Sequence, residues 1–79
     1  MAKTISYKKL WKLLIDRTMT KTDLRDKSSI STASLAKLGK DENLTTAVLL
    51  KICDALECDI SDIMEIIEID HEINEEKKR

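Results

Sequence analysis

Proline and phenylalanine are absent from this 79-residue sequence, and glycine occurs once, at Gly39. A turn-rich β fold draws heavily on glycine and proline, so their scarcity excludes one and favours helices. Tyr7 and Trp11 are the only aromatics, too few for the stacking platforms on which single-stranded nucleic acid is read. They are better suited as core anchors near the surface. One histidine, His71, and two cysteines, Cys53 and Cys58, leave no set of closely spaced metal ligands. Cys53 falls on an apolar helical stripe and reads as a buried free thiol. There is no glycine-rich phosphate loop and no nucleophile–base pair at a useful spacing. No enzyme, cofactor, metal or small-molecule ligand is expected. No apolar run approaches the roughly 18 residues of a membrane span, and the N-terminus has no apolar signal core. These absences predict a cytoplasmic protein with no membrane partner.

What the sequence does have is charge, and it is unevenly spread. The formal net charge is −1, which alone argues against a polyanion partner. Yet residues 1–40 carry ten lysines and arginines against three acids, and residues 41–79 carry four against twelve. A basic half and an acidic half imply one face that meets phosphate and one that does not.

The length makes one small domain, for which close helix packing or dimerisation would be helpful. Ser6 can cap a first helix in which Tyr7, Leu10, Trp11, Leu14 and Ile15 follow the i, i+3, i+4, i+7, i+8 spacing of an amphipathic face. That helix should run to about Arg17. Thr20, or Lys21 and Thr22, can start a second helix, which Ser28 and Ser29 break. Ser31 can cap a third, over about residues 32–38, with Leu35 and Leu38 inward and Thr32, Ala33, Ser34 and Lys37 on or near the outer face. Gly39 stands where a left-handed residue commonly stops a helix. Thr45 can cap a fourth helix with Val48, Leu49, Ile52, Cys53 and Leu56 inward. Asp59 or Ser61 can cap a fifth, from about Ile60 to Ile66. Beyond it, Ile67 to Ile73 fits two patterns, an alternating edge strand that could pair with residues 3–7, or a helical stripe for a dimer contact. His71 reads as a solvent or interface residue, and residues 75–79 as a charged, loose end.

The order of these parts resembles the helix-turn-helix of the Cro/CI phage-repressor family, also called XRE-like regulators. The residues that carry the resemblance are T-K-T-D-L at 20–24, the turn S-S-I-S at 28–31, L-A-K-L at 35–38 and the later run N-L-T-T-A-V-L-L-K-I-C-D-A-L-E-C-D-I-S-D-I at 43–63. The resemblance covers about residues 6–67. It implies an all-α, compact five-helix lambda-repressor-like DNA-binding domain, with an arm at 1–5, the domain at 6–67 and an acidic, charged tail at 68–79. The tail is either a short strand or a helical extension. Three positions depart from the family pattern, one of them Gly39, which stands where the family usually has a glutamate after the third helix. Arg25 replaces a small alanine where the two central helices touch, so its stem should lie outside that contact. Ser29 replaces the turn glycine, at a cost of about 1 kcal/mol if it must be left-handed.

The resemblance further implies that the third helix enters the major groove of double-stranded DNA, with side chains near its start on base edges. Thr32, Ala33 and Lys37 occupy the positions that usually face bases. Lys37 could donate to guanine, Ala33 could touch a thymine methyl, and Thr32 could bond to either base partner or to phosphate. Thr20, Lys21, Ser31, Ser34, Lys40 and Asn43 are the expected contacts to the DNA backbone, with the free N–H groups at the start of the second helix aiding a phosphate there. The expected function is a sequence-specific transcriptional regulator, a repressor on a palindromic operator. It would act as a homodimer through helix five and the isoleucine-rich tail. The competing expectation is a protein-interaction module, an antitoxin or adaptor on the same fold.

Overall fold

The computed structural model describes residues 2–69. Four α-helices, one 3₁₀ turn and two strands follow in the order β1 (Ala2–Ser6), α1 (Lys8–Asp16), α2 (Lys21–Ser28), α3 (Thr32–Gly39), α4 (Thr46–Leu56), the 3₁₀ turn (Ile60–Asp62) and β2 (Glu65–Ile69). No described helix is long and apolar enough to cross a membrane.

The expected caps account for most of the helix starts. Thr20 accepts the Asp23 N–H at 3.0 Å while the Asp23 carboxylate accepts the Thr20 N–H at 2.9 Å, so α2 opens with a reciprocal capping box. Ser31 accepts the Ser34 N–H at 3.0 Å and Thr45 accepts the Val48 N–H at 3.3 Å. At α1 the cap position is Tyr7, and Ser6 acts from one residue further out, its hydroxyl accepting the Lys8 N–H at 3.3 Å.

Helix ends depend on left-handed residues, none of them glycine. Thr18 (φ 57°), Ser29 (φ 63°), Asp41 (φ 55°) and Glu57 (φ 54°) all occupy that region. Ser29 is therefore left-handed, so its place in the turn carries the conformational cost that a glycine would avoid. Gly39 is not. It is the last residue of α3 and has no positive φ. The reversal falls two residues later at Asp41, where the Glu42 N–H returns to the Lys37 carbonyl at 3.0 Å.

The fifth helix expected over residues 60–66 is not formed. Asp59 caps a single 3₁₀ turn, and the Asp62 carboxylate closes it by accepting the Asp59 N–H at 2.9 Å. The chain then extends into β2, which pairs antiparallel with β1 in the register Ala2↔Ile69, Lys3↔Glu68, Thr4↔Ile67, Ile5↔Ile66 and Ser6↔Glu65. Of the two readings of the tail, the strand is the one seen through Ile69. His71 and Ile73 lie outside the described residues. β-Branched isoleucines favour a pleated, half-buried surface, and β1 supplies the hydrogen-bonding partner that a helix would not have used.

The core comprises Tyr7, Leu10, Leu14, Leu24, Ile30, Leu38, Leu49, Ile52, Leu56 and Ile63. Each fully buried leucine or isoleucine contributes roughly 1.5–3 kcal/mol. Tyr7 ties the loop after α3 to the start of α1. Its N–H donates to Asp41 Oδ1 and its hydroxyl donates to the Glu42 carbonyl, both at 3.0 Å. Burial, with the Asp41 charge as a smaller cause, pushes the Tyr7 hydroxyl above its ordinary pKa. Trp11 and Leu35 pack half-buried against this core, as does Cys53, which was expected deeper. Ile15, expected on the inner stripe of α1, is 75 % exposed, because the helix ends one residue later and the chain turns away.

Candidate nucleic-acid interface

α2 and α3 form the helix-turn-helix. Leu24 and Ser28 are the buried residues of α2, and the Ser28 hydroxyl turns inward to the Leu24 carbonyl at 2.6 Å. A serine can therefore sit in the helix contact without an unmet polar group. Ile30 fills the turn and Leu38 anchors the far end of α3. These apolar contacts fix the angle at which α3 is presented and take up little of its surface.

On that surface Thr32, Ala33 and Lys37 are all exposed. Ala33 and Lys37 are four residues apart and so share one side of the helix, with Thr32 at its first position. None of the three is needed by the core. Among the described residues Lys37 makes no ion pair.

The expected backbone contacts fall into two groups. Thr20, Lys21 and Ser31 are exposed at the starts of α2 and α3. The Thr20 N–H is taken by Asp23, so the free donors at the start of α2 are those of Lys21 and Thr22. Lys21 Nζ lies 4.7 Å above the ring of Trp11, a cation–π contact of about 0.5–1 kcal/mol at an exposed site. It gives Trp11 a polar partner that helical periodicity did not reveal. Lys40 and Asn43 are exposed just beyond α3. Ser34 is different, being half-buried with its hydroxyl bonded to Ser31 at 3.1 Å, so it serves the cap of α3 first.

The structure also brings in Arg25. Its side chain leaves the α2–α3 contact, as its size required, and bends toward the start of α3. There its Nη1–H donates to Thr32 Oγ1 at 3.4 Å, while Asp26 Oδ1 accepts from Nε and Nη2, also at 3.4 Å. Spacing gives the direction of a helical Cβ, not that of a long, flexible side chain, so only the bulk of Arg25 signalled something unusual.

The lysines of α1 lie in a different setting. Lys9 Nζ donates to the Ser61 carbonyl at 2.9 Å. Lys9, Lys12 and Arg17 line a shallow depression of about 420 Å³ together with Asp16, Glu57 and Asp62. Arg17 also donates to the Leu56 carbonyl, closing the end of α4. Bases and acids are mixed here, in contrast to the exposed face of α3, where Lys37 is the one charged residue.

A family model for the Cro/C1-type HTH DNA-binding domain matches residues 9–68. Among solved structures the chain is similar to crystal form II of the transcriptional regulator VanUg, with a TM-score of 0.83 and 49% sequence identity over 87% of this chain and 92% of that one. No curated protein sequence matches.

Proposed function

The chain belongs to the Cro/C1-type helix-turn-helix DNA-binding family, and we propose that it is a sequence-specific transcriptional regulator, a repressor that binds a palindromic operator as a homodimer. The observation that carries this reading is α3, capped by Ser31, with Thr32, Ala33 and Lys37 exposed on a helix that commits only Leu38 fully to the core. In this reading α3 lies in the major groove. Lys37 donates to guanine O6 and N7, Ala33 meets a thymine methyl, and Thr32 bonds a base edge. Thr20, Lys21, Ser31, Lys40 and Asn43 hold the phosphates on either side, with Ser34 supporting the cap. The protein acts in the cytoplasm by occupying its site, without catalysis. The similarity to a transcriptional regulator over most of both chains supports the same reading.

With no helix five, the dimer surface we assign is β2, where Ile66 is 60 % and Ile67 42 % exposed. Those exposed isoleucines also motivate the second reading, a protein-interaction module that grips a different partner through the same strand. Binding-site selection on randomised duplex DNA at about physiological salt separates the two, because purely electrostatic binding weakens steeply with salt. An enriched palindrome is expected, with a half-site spacing set by the two copies of α3. Binding that enriches no sequence and disappears on modest added salt would favour the interaction module.

A further inference from the structure

We infer that Arg25 is a fourth base-reading residue, acting beside Thr32 at the groove end of α3; this rests on the DNA-binding reading above. Three observations point to it. First, the guanidinium stands at the first residue of α3, the part of such a helix that lies nearest the base edges, and a long bond of 3.4 Å to Thr32 Oγ1 directs it there. Second, its other partner is Asp26, its immediate neighbour in sequence, in a pair whose side chains are 36 % and 68 % exposed. An exposed pair of this kind is weak, so it orients the guanidinium in the free protein and yields when a better acceptor is offered. Third, the bonds to Thr32 and Asp26 occupy three of the five N–H donors of an arginine. Release from Asp26 leaves a planar fork matched to guanine O6 and N7, which a lysine cannot reproduce.

The contact to Thr32 gives the two residues a joint role. Thr32 Oγ1 accepts from Arg25, so the hydroxyl proton of Thr32 remains available as a donor to a base acceptor. Arg25 thus reads a guanine while setting the sense in which Thr32 bonds the adjacent base pair.

The test is the same site selection, run on wild type, Arg25→Ala and Arg25→Lys, with thermal unfolding measured alongside. Both variants are expected to lose about tenfold to a hundredfold preference for a G·C pair at one position of each half-site. Arg25→Lys should keep the wild-type salt dependence, because its charge is retained. If Arg25→Lys restores both affinity and sequence preference, the residue is a phosphate contact and the inference is overturned. It is overturned equally if wild type and both variants select identical sequences. A wild-type protein that selects no sequence overturns the DNA-reading proposal itself and this one with it.

Discussion

α3 and α4 are adjacent amphipathic helices with opposite uses. α4 buries Leu49, Ile52 and Leu56 and packs against α2, so most of its apolar surface is consumed inside the molecule. α3 fully buries Leu38 alone and leaves Thr32, Ala33 and Lys37 in solvent. On the proposed reading, the contrast separates stability from recognition. A change in the buried stripe of α4 should act on folding, and on DNA only through folding. A change on the outer face of α3 should act on DNA and leave folding alone.

The largest expected effect is on the α4 side. Ile52→Ala removes a fully buried side chain and should cost about 2–5 kcal/mol. That is a large share of the stability of so small a domain. Thermal unfolding should shift far downward, and operator binding should fail in proportion to the unfolded fraction. A variant that keeps its melting temperature while losing DNA would break the division of labour.

On the α3 side, Lys37→Ala should weaken operator binding by about 1–3 kcal/mol and relax one base position, with the melting temperature unchanged. Site selection and thermal unfolding on the same preparation check both halves. An unaltered sequence preference would remove Lys37 from the reading face.

How far each helix could be read from sequence follows the same division. α4 and α1 were legible because buried stripes leave a period, and the caps at Thr20, Ser31 and Thr45 were legible because an N-cap needs only a local oxygen. The outer face of α3 was legible as the complement of Leu35 and Leu38. Part of what escaped depended on distant partners, and part on local detail. Residues 60–66 carry apolar spacing compatible with a helix, and only β1, some sixty residues away in the chain, supplies the strand that draws Glu65–Ile69 into a sheet. The stripe through Ile15 ran past the point where the chain turns. Gly39 looked like a helix stop because glycine tolerates left-handed φ, but the bond from Glu42 to Lys37 places that conformation at Asp41. Arg25 and the Lys21–Trp11 contact depend on where long side chains bend, which periodicity does not encode.

A smaller effect sharpens the comparison at the junction feeding α3. Ser29 is left-handed at φ 63°, a region that costs an L-residue about 1–2 kcal/mol and a glycine almost nothing. Ser29→Gly also adds freedom to the unfolded chain, so the net gain should be about 0.5–1 kcal/mol. That corresponds to a rise in melting temperature of a few degrees. Sequence preference should not move, since the turn already holds the conformation glycine prefers. A fall in melting temperature, or an altered operator, would mean that Ser29 does more than carry the turn.

The last effect is a pH dependence that appears only in alkaline solution and centres on the end of α4. The Cys58 N–H donates to the Cys53 carbonyl at 3.0 Å, bringing the two half-buried cysteines together. Burial first, and then the neighbouring Cys58 thiol, raise the Cys53 pKa from 9.0 to about 11. Burial raises Cys58 as well. A thiol that ionises less readily in the folded protein favours unfolding once the unfolded chain begins to lose its proton. The contribution of Cys53 is therefore fully present below pH 9.0 and is lost as the pH rises toward about 11. Cys53→Ala should flatten part of the loss of stability over that window. The remaining slope belongs to Cys58 and, from about pH 10.0 upward, to Tyr7, whose pKa is raised mainly by burial. Urea unfolding of both proteins at intervals from pH 8 to 11 makes the measurement. Parallel loss of stability in the two would show that the thiol is equally protonated in the folded and unfolded chains, and that the end of α4 is more open to water than its packing implies.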